Sequence, residues 1–159
     1  MAAAGKWKLY DDAKKNIANG LIDLDTDSFV VALFLSTSNC DTLSIGTGLL
    51  ADLTNQVATN FGYTQADGAG AGKAVTLTVA EAAGTTTVDE TTNPVWTASG
   101  GSIVARFAVI FDDTAAGNPL LCVSLLDTAP ADVTATTGNT LTITQPASGL
   151  FTLAGADAN

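Results

Sequence analysis

The chain has 159 residues, 47% of them apolar, with 16 carboxylates against 6 basic side chains and a net charge of −10. That length and apolar content suit one domain with a sizeable core, and exclude a disordered acidic tail or a small disulfide-stapled scaffold. A nucleic-acid binder needs basic side chains to displace counterions, and a chain with 0 histidines lacks the usual general base and the commonest zinc ligand, so the expectation is no direct nucleic-acid partner, no enzyme, no cofactor and no metal.

The first eight residues hold no apolar stretch of the length a secretory signal needs. The longest apolar run, residues 29–35, is far short of the ~20 residues that cross a bilayer. The expectation is assembly in a cytoplasm, no membrane partner, and Cys40 and Cys122 as free, buried thiols. Four of the six cations, Lys6, Lys8, Lys14 and Lys15, lie in the first fifteen residues. Residues 1–20 are therefore read as an N-terminal arm and helix, and residues 21–159 as a single β-sandwich domain. Leu9, Ala13 and Ile17 recur at helical spacing and predict a helix over residues 7–19, with Gly20 as its C-terminal glycine. A weaker helical turn is expected over residues 50–58, on Leu50, Leu53 and Val57.

Most of the remainder reads as strands. Residues 29–36 are nearly all apolar, as in a strand covered on both faces. Residues 74–80 alternate apolar side chains with threonine, the pattern of a half-buried strand. Further strands are expected over 95–98, 103–111, 120–126, 140–145 and 149–153. Gly100-Gly101 predicts a tight hairpin, and residues 112–119 a loop in which Asp112 and Asp113 face water. Strands at this spacing behind one short helix predict a mainly β fold, an antiparallel β-sandwich or jelly roll with one short N-terminal α-helix.

Motifs with catalytic or ligand-binding spacing are weak. Gly68-Ala-Gly70-Ala-Gly72-Lys73 leads into a strand, whereas a phosphate cradle leads into a helix N-terminus, so it reads as a surface loop. Asp23-Leu-Asp25-Thr-Asp27 opens like a calcium loop, but Ser28 and Phe34 stand where that loop requires glycine and an acid. It reads as an acidic edge that discourages strand pairing. Trp7, Tyr10, Phe61, Tyr63 and Trp96 read as core anchors rather than a ligand platform. Arg106 lies inside an apolar strand, where its stem packs while its head pairs with a carboxylate.

Several segments look familiar. Lys8-Leu-Tyr-Asp-Asp-Ala-Lys-Lys15 and Gly20-Leu-Ile-Asp-Leu-Asp-Thr-Asp-Ser-Phe-Val-Val-Ala-Leu33 resemble the opening of a group of small tailed-bacteriophage virion structural proteins. Asn93-Pro-Val-Trp-Thr-Ala-Ser-Gly100 and Ala105-Arg-Phe-Ala-Val-Ile-Phe-Asp112 follow in the same order, so the resemblance spans roughly residues 6–153. It implies a capsid decoration (cement) protein that binds the major capsid protein or other virion proteins, as a homo-oligomer and above all a trimer. On that reading Lys6, Trp7, Lys8, Leu9 and Tyr10 form the partner-docking element. Tail, head-to-tail or baseplate placement, and a carbohydrate-binding host-attachment module, are the alternatives.

Overall fold

The computed structural model of the chain describes residues 5–68, 71–127 and 132–154. The chain runs β1 (Lys8–Leu9), α1 (Asp11–Ala18), β2 (Phe29–Phe34), β3 (Lys73–Val75), β4 (Leu77–Ala82), β5 (Thr85–Glu90) and β6 (Val95–Thr97). It continues through β7 (Ile103–Ala105), β8 (Phe107–Asp112), β9 (Leu120–Leu125), β10 (Val133–Ala135), β11 (Thr140–Thr142) and β12 (Phe151–Ala154). The result is a mainly β, sandwich-like fold with one α-helix among the described residues. A five-stranded sheet, in the order β1-β9-β8-β2-β3, is its backbone. A three-stranded sheet, β12-β5-β4, and two strand pairs, β10-β7 and β11-β6, complete it. Every pairing is antiparallel.

The central strands are the apolar runs. Every side chain of β2 and β8 is buried, because both faces of the large sheet are covered and β-branched and aromatic residues fill both. β3 pairs only with residues 29–31 of β2. Beyond that point the segment after Leu53 completes the edge: Leu35 N–H donates to Asn55 O (3.0 Å) and Val57 N–H to Leu33 O (2.9 Å). The buried Tyr63 hydroxyl accepts from Leu33 N–H at 3.0 Å. Tyr63 and Trp96 pack with ring centroids 6.0 Å apart.

The structure departs from the sequence expectation at several joints. The helix begins at Asp11, not at residue 7, because Lys8 and Leu9 pair with Val123 and Cys122 of β9 and Tyr10 is extended. Of the expected turn over 50–58, only Leu50–Asp52 is helical, as one 3₁₀ turn. The expected strand over 74–80 breaks at Thr76: β3 joins the large sheet, and β4 leaves it for the three-stranded one. The 103–111 run breaks at Arg106 in the same way, β7 pairing with β10 and β8 with β2 and β9. Gly100-Gly101 closes no hairpin, since β6 pairs with β11 and β7 with β10.

Residues 5–20 are built into the body. Trp7, Tyr10 and Ala13 belong to the same buried cluster as β2, β8 and β9, so the boundary at residue 20 separates no second core. Residues 1–4 of the expected arm, residues 69 and 70 of the glycine loop, and residues 155–159 lie outside the described residues.

Candidate functional site

The five residues expected to dock a partner divide by face. Along an extended chain alternate side chains point the same way, which sets Lys6 and Lys8 on one face and Trp7 and Leu9 on the other, and Tyr10 breaks the alternation as the chain turns into α1. Trp7 and Tyr10 turn into the body and are buried, Leu9 is half-buried, and Lys6 and Lys8 are exposed. The apolar members of the set thus anchor the strand to its own domain. The tie is extensive: Gly5 N–H donates to Leu125 O (2.6 Å), the Ser124 hydroxyl donates to Gly5 O (2.9 Å), and Tyr10 N–H donates to Leu121 O (3.1 Å). A Cβ at Gly5 would stand 3.1 Å from Leu125 O, so only a residue without a side chain runs this close to β9 at ease.

Lys6 and Lys8 line a cleft of about 390 Å³ together with Gly5, Asp41, Arg106, Phe107, Val123 and Leu125. Three of the chain's six cations meet here around one carboxylate, in a protein of net charge −10. The floor is apolar: Phe107 and Val123 are buried and Leu125 is half-buried. Lys8 sits opposite Val123, and Phe107 opposite Leu125, which sets the cations over that floor. Each wall is held by backbone bonds. Arg106 N–H donates to Phe34 O (2.8 Å) and its carbonyl accepts from Leu126 N–H (3.0 Å), so the break between β7 and β8 is fixed where the guanidinium stem enters the cleft. On the other wall Tyr10 donates its hydroxyl to Cys40 O at 2.5 Å, and Asp11 N–H bonds Leu43 O at 3.0 Å. These two bonds place Asp41 beside the edge strand.

Such a cleft is suited to an anionic group carried next to an apolar one. Ammonium and guanidinium donors make charge-assisted hydrogen bonds to a carboxylate or phosphate, and the floor buries an adjoining side chain. Lys6 and Lys8 were legible in the sequence as cations of the arm. Arg106 was not legible as their neighbour because strand pairing across about a hundred residues brings it there, and Asp41 was not because the bonds of Tyr10 to Cys40 and of Asp11 to Leu43 place it.

The remaining candidates are structural. Asp23 Oδ1 accepts from Asp25 N–H (3.0 Å) and Thr26 N–H (3.3 Å), and Asp27 Oδ2 from Asp23 N–H (2.7 Å). These carboxylates shape their own turn, and the bonds hold Asp23 below the usual carboxylate range. Among the described residues no three His, Cys, Asp or Glu side chains gather in a way that would hold a metal ion. Asp112 corrects the sequence reading. It is buried, not solvated, because as the last residue of β8 it turns inward and its Oδ1 caps the N–H groups of Thr114 (2.7 Å) and Ala115 (3.0 Å). Burial and the neighbouring Asp27 carboxyl push it above the usual range. Asp113 is half-buried and accepts from Asn118 Nδ2 at 3.2 Å. Of the five aromatics weighed as a platform, Trp7, Tyr10, Tyr63 and Trp96 are buried and Phe61 is exposed. Cys40 and Cys122 are free and buried. No helix among the described residues is long and apolar enough to cross a membrane.

No known protein family, curated protein or solved structure matches this chain.

Proposed function

We propose that the chain is a virion structural protein of a tailed bacteriophage, a capsid decoration (cement) protein that docks on the head shell through the Lys6–Lys8–Arg106 cleft. The observation that carries the docking is the concentration of cations over an apolar floor in an otherwise acidic molecule. The resemblance of the segments between residues 6 and 153 supports the virion setting. A strongly acidic body keeps free copies soluble, and the basic cleft orients each copy toward an acidic patch on the shell. Exposed charge pairs contribute about 0.2–1 kcal/mol each, so a single contact is weak. Many copies on a repeating lattice make up for that through local concentration.

Two experiments test the reading. Heads and tails of the phage encoding the chain are separated and the 16.0 kDa protein is located by mass spectrometry. High-copy recovery with heads supports the cement reading, whereas recovery with tails moves the protein to a tail, connector or baseplate role, and absence from both overturns the virion reading. Binding of purified protein to undecorated shells then tests the cleft. Lys6→Glu with Lys8→Glu should weaken binding at least tenfold at low salt, and added salt should weaken the wild type. Unchanged binding by the double variant would remove the cleft from the interface.

A further inference from the structure

The junction of β2 and β8 leaves a buried carboxylate oxygen without a donor. Phe29 pairs with Asp112, and the ladder runs one step further, where Asp113 N–H donates to Ser28 O at 2.8 Å. Asp27, two residues before Phe29, comes to the same side of the ladder as Asp112, and its carboxyl faces that of Asp112 within hydrogen-bonding reach. Asp112 is fully buried; its Oδ1 takes the N–H groups of Thr114 and Ala115, whereas Oδ2 has no partner. Asp27 is half-buried, and its Oδ2 accepts from Asp23 N–H at 2.7 Å, closing the acidic turn of residues 23–27. Two facing carboxylates repel unless a proton lies between them.

We infer that Asp112 holds a proton on Oδ2 and donates it to the Asp27 carboxylate, so that an acid-stabilised clasp fastens the 23–27 turn to the end of β8. The surroundings keep that proton in place. The charges along both segments are carboxylates, Asp23 and Asp25 on the turn and Asp113 beside Asp112. β3 and β4 bring Ala74, Val75, Thr76 and Leu77 against the turn, none of them ionisable, and Lys73 pairs further along β2, opposite Val31. From the β9 side Asp112 N–H bonds Pro119 O at 2.9 Å. Asn118 Nδ2 reaches Asp113 Oδ1 at 3.2 Å and Asp112 O at 3.4 Å, leaving Oδ2 to Asp27. Burial and the facing Asp27 raise Asp112 above the ordinary carboxylate range, so it keeps its proton past the pH at which an exposed aspartate releases one. As pH rises further the proton leaves, a buried oxygen stays charged without a donor, and the two carboxylates push the turn away. The turn and the β3–β4 joint line one cleft of about 220 Å³, so opening widens it beside Leu24 and Leu77. The clasp is independent of the Lys6–Lys8–Arg106 cleft and does not rest on the virion reading.

The test is amide hydrogen exchange on the full chain in a buffer with EDTA, from about pH 5 to about pH 8, corrected for the intrinsic pH dependence of exchange. Protection of residues 23–27 should fall about tenfold or more as pH rises, while residues 29–34 of β2 keep theirs. Asp27→Asn should hold the turn closed across the range, because its amide donates to the Asp112 carboxylate without a titrating proton and its carbonyl still accepts from Asp23 N–H. Asp27→Ala should leave the turn open throughout. Protection indifferent to pH in the wild type overturns the clasp, and so does an Asp27→Asn variant with the wild-type pH dependence. Two further results overturn it: an Asp27→Ala turn as protected as the wild type at the acid end, and a loss of protection that extends through β2.

Discussion

Glu90 is a carboxylate that folding buries at a cost. It ends β5 fully buried, and neither carboxylate oxygen has a hydrogen-bond partner. Burial, with the nearby Asp89 charge, pushes it up to about 8 from an ordinary 4.5. Between those values the native state keeps a proton that the unfolded chain has released, so stability falls as pH rises across that window and levels off above it. The slope is at most about 1.4 kcal/mol per pH unit. Urea midpoints should therefore be lower at pH 7.5 than at pH 5.5, and Glu90→Gln should flatten most of that difference and raise the midpoint at pH 7.5. A Gln variant with the wild-type slope would shift the blame to Asp112, whose carboxyl is raised in the same direction. Gly62, by contrast, tolerates no side chain. It has φ +92 in the turn that bridges Asn60 and Tyr63, and a Cβ there would stand 2.1 Å from Thr97 O. Gly62→Ala should cost about 2 kcal/mol or more, through both the left-handed backbone and the collision with β6. A thermal melt measures it directly.

Single residues also explain where elements end and why some were hidden in the sequence. The apolar runs of β2, β8 and β9 were readable because full burial on both faces leaves an uninterrupted hydrophobic stretch. The breaks at Thr76 and Arg106 were not, since period-two alternation continues through each joint and only the partners change. β5 escaped notice because Thr85-Thr-Thr87 offers little apolar contrast, although Ala83-Gly84 marks its hairpin, with φ of 51° and 80°. β10 is three residues long and recognisable only by its pairing with β7. The long irregular stretch after β2 is ordered by side chains instead of a ladder. Asp52 Oδ2 accepts from Thr47 N–H (2.8 Å), Thr47 Oγ1 (2.9 Å) and Leu49 N–H (3.1 Å), and these bonds hold its carboxyl below the usual range. Asn39 ties the same stretch together by donating to Asp52 O (3.0 Å) and accepting from Thr54 N–H (2.9 Å). Asp52→Ala should lower the urea midpoint at pH 7, with wild-type stability falling toward the variant's as acid protonates the carboxylate. Urea titrations of both proteins at pH 7 and pH 3 separate the two effects. The candidate site was half legible for the same reason as the fold: composition showed the lysines of the arm, and long-range pairing supplied Arg106 and Asp41.

Across the whole molecule, the arm and the body are one structure, and this governs how docking can be tested. Removing residues 1–10 would take Trp7 and Tyr10 from the core, at a cost of about 3–5 kcal/mol for each large aromatic, and would bare the edge of β9. Loss of partner binding in that truncation would say nothing about the surface, whereas charge reversal at exposed Lys6 and Lys8 leaves the core intact. The two cysteines report on the same unity. Cys122 lies on β9, between β1 and β8, and Cys40 lies under the arm, its carbonyl held by Tyr10. Burial pushes Cys40 up to about 11 and Cys122 well above its ordinary value, so neither native thiol offers the reactive thiolate. Labelling by a thiol reagent must then wait for the chain to open. If residues 5–154 unfold as a single unit, both cysteines label at one rate, that rate tracks the global unfolding free energy across urea concentrations, and mass spectrometry finds unlabelled and doubly labelled chains with little singly labelled material. Selective early labelling of Cys40 would instead show the arm peeling from β9 while the sheets stay closed, and would restore a boundary near residue 20 that the shared core argues against.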